Sequence, residues 1–431
     1  MKRWIFEFIF AGAFWQGCTT YTTELEKVRM EFRTNQFDQA LVSLDKSELG
    51  KQSRNRLLFL FEKAMILDRL GRRDESRQLL LSADRLIDAL YTESVSKSAA
   101  SFLYNDSVTD YAGEDFEKVA VHSLLALSFL DDQLLDSALV EARKINTKLH
   151  EINQNHDKHK NIYGDDAFAR YLAGCIYEAK GEIDSAIIDY RKALEVYETV
   201  YQKNFGTLPP KSLVRSLYSL LKLRQRFSLA KKLTKTYPWL DQVKGSSKKK
   251  SGGTLVVIHE LGHLAVKKEK SFSIFVGKQL VRFSFPIISP RNPGRFARTG
   301  IALNGIQIAA DLVQNLDGIA SQTLDDRRAR LILKQGVRLA LKSQVTQRAE
   351  KEFGSLGGLA ANIYSAVTET ADTRGWTLLP SAWYLTRYEV REGRHTLDIY
   401  SDGRKQTRDI EVKPGDFLFI RAKLAHHQPS I

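Results

Sequence analysis

Cysteine is nearly missing from this chain: among 431 residues there are only Cys18 and Cys175. Two cysteines exclude a disulfide scaffold. Proline does not occur before Pro209, so nothing there interrupts a long succession of helices. After the first eighteen residues, no apolar stretch approaches the roughly 20 residues that span a bilayer. No nucleotide-binding glycine loop is present. Gly354, Gly357 and Gly358 cluster, but no Lys-Ser or Lys-Thr pair follows them and no strand precedes them. Acid is scarcer than base: 65 Lys and Arg face 51 Asp and Glu, a formal charge of +14. The excess reads as spread along the chain, which argues against nucleic acid and for acidic neighbours of another kind.

The N-terminus carries what the rest lacks. Lys2-Arg3 precedes the mostly apolar run Ile5 to Phe14, and Gln16-Gly17 stands before Cys18. A basic start, a short apolar core and a small residue before the cut are the parts of a secretory signal. The Gly-Cys junction resembles the bacterial lipoprotein processing site, with Trp15 where Leu is usual. On that reading residues 1–17 are a lipoprotein signal peptide and Cys18 is the lipid attachment site. An ordinary secretory signal with unmodified Cys18 is the alternative. Thr19, rather than Asp, is compatible with delivery to the outer membrane, lipid-anchored and facing the periplasm. Cys175 then has no intrachain partner, and its setting in Tyr171-Leu-Ala-Gly-Cys-Ile-Tyr places it in a buried helix.

Residues 18–240 have helical periodicity, as in Leu57, Phe61, Ala64 and Met65. The clearest unit runs from Ala169 to Tyr197. Gly174 and Tyr177 fall on a first helix, Gly181 on a turn, and Ala186, Tyr190 and Ala193 on a second. These spacings are similar to those of a tetratricopeptide (TPR) repeat, in which small residues let two antiparallel helices approach and aromatics fill the groove beside them. Weaker copies lie around Gly71-Arg-Arg-Asp and Asp131-Asp-Gln, and Asn35-Gln-Phe-Asp starts another. Glu141 and Arg143 are expected to form ion pairs on a helix surface.

The stretch 241–253, rich in Lys, Gly and Ser, reads as a flexible linker. From 254 to 431 the texture is α+β: β-branched and alternating runs, a helix expected from Gly305 to about Tyr364, then strands with turns at Gly393, Asp402-Gly403 and Pro414-Gly415. The fold class expected is therefore multidomain: an all-α TPR-like half and an α+β half with an antiparallel sheet and a helical insert.

His259-Glu-Leu-Gly-His263 matches the zincin pattern, in which two histidines on one helical face hold zinc and Glu260 serves as base. The surrounding β-type residues, the lack of the usual third ligand and the turn-prone Gly262 weigh against it. Zinc peptidase chemistry is kept as the alternative; the main expectation is no enzyme, no metal and no cofactor.

Four segments stand out: Asp115-Phe-Glu-Lys-Val-Ala-Val-His, Ala138-Leu-Val-Glu-Ala-Arg, Tyr171-Leu-Ala-Gly-Cys and Ala371-Asp-Thr-Arg-Gly-Trp376. Together they resemble a family of uncharacterised Gram-negative lipoproteins with TPR-like repeats. In that family the genes often neighbour one for a lipoprotein activator of penicillin-binding proteins. The resemblance makes Asp372, Arg374 and Trp376 a shared cluster, with a structural pin between helices and sheet as its favoured role. It implies a strand and a Glu-x-Gly turn at Glu260 to Gly262, outside any zinc site. The repeats, the anchor and the basic balance lead instead to the expected function: a non-enzymatic interaction scaffold, linked to cell-wall or envelope assembly, whose helical half offers a concave surface to an envelope protein or cell-wall component. The α+β half is expected to be a compact module docking on the first.

Overall fold

A computed structural model describes residues 21, 25–96, 109–154, 162–242, 252–276, 279–289, 291, 296, 298–328, 371–401 and 404–423. The signal segment 1–17, Cys18, most of the 241–253 linker, the Gly354 to Gly358 cluster and Asp402-Gly403 lie outside the described residues.

Five helical hairpins follow one another: α1 Glu26–Arg33 with α2 Phe37–Lys46, α3 Arg56–Arg69 with α4 Arg73–Ser96, α5 Asp115–Asp131 with α6 Leu135–Gln154, α7 Ala167–Ala179 with α8 Ile183–Val196, and α9 Lys211–Leu223 with α10 Phe227–Thr236. They share one turn. Asn35, Gly71, Gln133, Gly181 and Gln225 occupy equivalent places, all with φ between 54° and 77°. The amide after each bonds back to the carbonyl five residues earlier, for example Glu182 N to Tyr177 O at 2.8 Å and Arg226 N to Leu221 O at 2.8 Å. This is the Schellman helix stop, and the left-handed residue is what it requires. α8 continues into a π-helix, Tyr197–Phe205, ended by Gly206 at φ 65°.

The second half is built on sheets. Strands β1 Gly252–Leu261, β7 Ala382–Arg391, β6 Asp311–Asn315 and β10 Phe417–Lys423 form one sheet in the order β10-β1-β7-β6. β1 pairs parallel to β10 and antiparallel to β7. A second, wholly antiparallel sheet has the order β5-β4-β8-β9, from β4 Gly300–Leu303, β5 Ile306–Ala309, β8 Gly393–Ser401 and β9 Arg404–Val412. β2 Lys268–Val276 and β3 Gln279–Ile287 form a separate hairpin.

β1 shows why the molecule is layered. Val256 and Ile258 join the helical core, whereas Leu255 and Val257 join a cluster with Ile301, Leu397 and Ile399 of the second sheet. Alternate side chains of a strand point to opposite faces, so the first sheet is buried on both sides: helices, sheet, sheet. An apolar run rather than an alternating one is what such a strand needs.

Two boundaries differ from those read in the sequence. β1 starts at Gly252, inside the expected linker. The helix expected from Gly305 starts only at 316 and is described to 328. Before it, Asn304-Gly305 makes a two-residue turn with φ of 50° and 85°, and β5 and β6 follow. Asn-Gly between short strands is a hairpin signal, and the small polar pair prevailed over the helical texture downstream.

Candidate functional site

At the fourth hairpin, Gly174 lets α7 and α8 touch: a Cβ there would lie 2.4 Å from the Tyr190 ring. Ala186, Tyr190 and Ala193 are fully buried and Tyr177 nearly so. The Tyr190 hydroxyl donates to Glu178 Oε2 at 2.8 Å. From β7, Arg387 reaches both groups, with Nη2 at 2.6 Å from Glu178 Oε1 and Nη1 at 2.8 Å from the Tyr190 oxygen. Cys175 is buried beside them, and burial pushes its thiol up to about 11.

That crossing contact is one of a series. The first helix of every hairpin meets the β half. Phe32 of α1 packs edge-on against His263 at 5.4 Å. Arg69 of α3 bonds Glu260 at 2.7 Å. Phe168 of α7 stacks on Trp383 at 5.4 Å. On α9, the Ser212 amide and hydroxyl donate to Asp311 at 2.8 and 2.6 Å. α5, in the middle, is buried along nearly its whole length. The inner face of the array, which repeat proteins commonly offer to partners, is therefore filled by the chain's own β half. This corrects the expectation of a concave surface open to another molecule.

The segment Ala371 to Leu379 is the most elaborate part of the filling. Trp376 stacks on Phe61 of α3, with centroids 4.1 Å apart and planes 9° from parallel. Its amide donates to Glu117 Oε1 of α5 at 2.7 Å. Thr377 N and Oγ1 both donate to Glu62 Oε1 at 2.8 Å, and Leu378 N donates to Glu62 Oε2 at 3.1 Å. Tyr21 donates to the Gly375 carbonyl at 2.7 Å. Two buried helix carboxylates thus read three consecutive backbone amides. Burial pushes Glu62 up to about 7 and raises Glu117 as well. Arg374 is held by Asp372 at 2.7 and 2.9 Å and reaches the Asn55 side chain at 3.2 Å and the Thr109 carbonyl at 3.0 Å. Its guanidinium also lies over the Tyr111 ring, 5.2 Å from the centroid. Asp372, Arg374 and Trp376 therefore tie the approach to β7 onto α3, α5 and the loop before α5.

A second buried set joins β1 and β10 to the helices. Glu260 pairs with Arg421 and Arg69. Arg421 also reaches Asp68 at 2.9 Å, and Lys423 bonds Asp68 at 2.8 Å and Asp131 at 3.1 Å. Burial raises Glu260 and Asp68, but the cations around them win, and both sit below the usual carboxylate range.

These partners dispose of the zincin geometry. His259 and Glu260 lie on a strand, so their side chains leave opposite faces. His259 points to the second sheet, with Ser401 Oγ at 3.1 Å and Thr386 Oγ1 at 3.3 Å. Gly262 turns the chain at φ 65° and sends His263 to Phe32. Burial pushes both imidazoles down to about 3; Arg33, Arg69 and Arg291 add to this at His263. Among the described residues no three His, Cys, Asp or Glu side chains gather as a metal site.

Glu141 is not a surface residue. It is buried, 2.8 Å from His122 Nδ1 and 2.8 Å from Lys144. Burial lowers the His122 pKa, but Asp84 and Glu141 more than offset it, and the net direction is up. Arg143 lies over the Tyr177 ring at 5.0 Å, at the edge of an outer furrow of about 660 Å³ between α6, α7 and α8.

A tetratricopeptide repeat model matches residues 169–199. No curated protein sequence matches the chain. Among solved structures, MamA from AMB-1 is 16% identical and covers 52% of this chain and 92% of its own, with a TM-score of 0.30. TPR-like repeats of a putative kinesin light chain from Podosopora anserina are 12% identical over 52% of this chain and 96% of theirs, with a TM-score of 0.32. A Rap protein complexed with competence and sporulation factor is 16% identical over 50% of this chain and 52% of its own, with a TM-score of 0.30. At these values the structural likeness carries no argument. The repeat assignment rests on residues 169–199 and on the shared turns.

Proposed function

We propose that the chain is a cell-envelope lipoprotein acting as a non-enzymatic scaffold for protein–protein interaction. The observation that carries the reading is the tetratricopeptide hairpin 169–199, whose class of repeat serves binding rather than turnover. With the inner face filled, the partner is received on the outer side, where Val140 and Ile188 are about half exposed beside the α6–α7–α8 furrow. The N-terminal pattern around Gly17-Cys18 supports an acyl tether and an outer-membrane, periplasm-facing location. An envelope protein or cell-wall component is the partner class this location favours.

Two measurements test it. Cross-linking in intact cells, followed by mass spectrometry, is expected to capture an envelope partner, and capture should fall with Ile188→Glu. Fractionation is expected to move the Cys18→Ser chain out of the membrane pellet. An empty capture, or a Cys18→Ser chain distributed like the parent, would overturn the corresponding half of the proposal.

A further inference from the structure

The excess positive charge is not evenly spread, contrary to the impression the whole sequence gives. Between positions 199 and 240 there are nine Lys and Arg and no Asp or Glu, so about a tenth of the chain carries +9 of its formal +14. All nine are exposed. Lys211, Arg215 and Lys222 fall within about 40° of one another around α9, at roughly 100° per residue. Lys231 sits one turn after Phe227 on α10. Among the described residues, carboxylate partners within salt-bridge distance are found only for Arg224 and Arg226, which share Asp184 at 3.4 and 2.8 Å.

The turn of this last hairpin adds apolar surface where a terminal repeat would be expected to be polar. Leu223 is 65% exposed and Phe227 61% exposed, flanked by Lys222, Arg224 and Arg226. At the opposite end of the hairpin, where α9 begins and α10 ends, a cleft of about 490 Å³ is lined by Leu208, Lys211, Tyr237, Trp239 and Glu198 among others, and Leu208 is itself 63% exposed. Apolar side chains on an exposed turn, flanked by Lys222, Arg224 and Arg226, suit the boundary between headgroups and acyl chains. A folded acidic partner would have to supply fixed carboxylates for Lys211, Arg215, Lys222 and Lys231, none of them held by a carboxylate among the described residues, whereas a fluid headgroup layer adapts to them.

We propose that the α9–α10 hairpin docks on an anionic lipid surface, with Leu223 and Phe227 entering the acyl boundary and the surrounding Lys and Arg meeting lipid phosphates. This contact does not depend on acylation at Cys18, so it stands or falls separately from the tether.

The test uses the full chain carrying Cys18→Ser, so that no acyl group contributes. Co-sedimentation is measured with phosphatidylcholine vesicles, with and without phosphatidylglycerol. Binding is expected to the anionic vesicles only and to weaken as salt rises. The Leu223→Ser/Phe227→Ser variant and the Lys211→Glu/Arg215→Glu/Lys222→Glu variant are each expected to lose about tenfold or more in partitioning while keeping the parent's circular dichroism. No binding to anionic vesicles, equal binding to neutral ones, or unchanged binding in both variants would refute the proposal. So would a photo-cross-linker at position 223 that captures protein instead of lipid in cells.

Discussion

Glu62 of α3 accepts the backbone amide and the hydroxyl of Thr377 through one carboxylate oxygen, both at 2.8 Å, in the buried seam between the two halves. Burial outweighs these bonds and pushes the carboxyl up to about 7. A carboxyl raised in the folded state binds its proton more tightly there than in the unfolded chain. Its stabilising contribution is complete below the unfolded value of about 4.5 and is lost as pH climbs through about 7. Between those limits it amounts to about 3 kcal/mol. Urea unfolding is expected to show stability declining with pH across this window, and Glu62→Gln should flatten the decline. A variant whose pH profile runs parallel to the parent's would show that Glu62 is not the group responsible.

Gly174 leaves no room for a side chain against Tyr190. Gly174→Ala is expected to cost about 1–3 kcal/mol through overpacking. Tyr190→Leu in the same chain should recover part of that loss, because the obstructing ring is gone. Denaturation midpoints of the two single variants and the double variant measure the coupling, and strict additivity would contradict the contact.

Gln225 holds a left-handed conformation, φ 54°, in an exposed turn. Gly71 and Gly181 fill the equivalent position in two other hairpins. Gln225→Gly is expected to stabilise the chain by about 0.5–1 kcal/mol, since glycine adopts this conformation without the Cβ penalty. A lowered melting temperature would count against that account of the turn.

Arg421 is shared by Glu260, Asp68 and Asp131 in a buried cluster. Arg421→Met strands carboxylates that Arg69 and Lys423 only partly satisfy. A loss of about 3 kcal/mol is expected, and one below about 1 kcal/mol would mean that the remaining cations suffice.

Zinc added to the purified chain is expected to leave its melting temperature unchanged, because Glu260 is held by arginines and the two imidazoles leave the chain in different directions. His263→Ala should not alter metal content in the dialysed protein. Stoichiometric retention that depends on His263 would reverse this.

The helical array was legible because its signals are local. Gly71, Gly181 and the small residues around Tyr190 sit at spacings that only a close helix hairpin explains. The seam was illegible because its contacts are not local. Glu62 lies in the apolar run Leu57 to Leu67, and a charge in such a run gives no hint of what it meets 315 residues later. Asp372, Arg374 and Trp376 could be picked out as a cluster, but their partners on Asn55, Phe61 and Glu117 depend on the tertiary fold. At His259-Glu260 the β-branched residues before the motif carried more information than the motif itself, since a strand separates what a helix would align.

Tandem helix pairs ordinarily behave like beads on a string: each leans on its neighbours, ends fray first, and units can be added or deleted with little damage. Here every inward-facing helix is riveted to the same slab of sheet, from Phe32 against His263 at one end to Ser212 against Asp311 at the other. Deleting a single hairpin would put all those downstream out of register with the slab, so this array gives up the modularity of its class and melts as a unit or not at all.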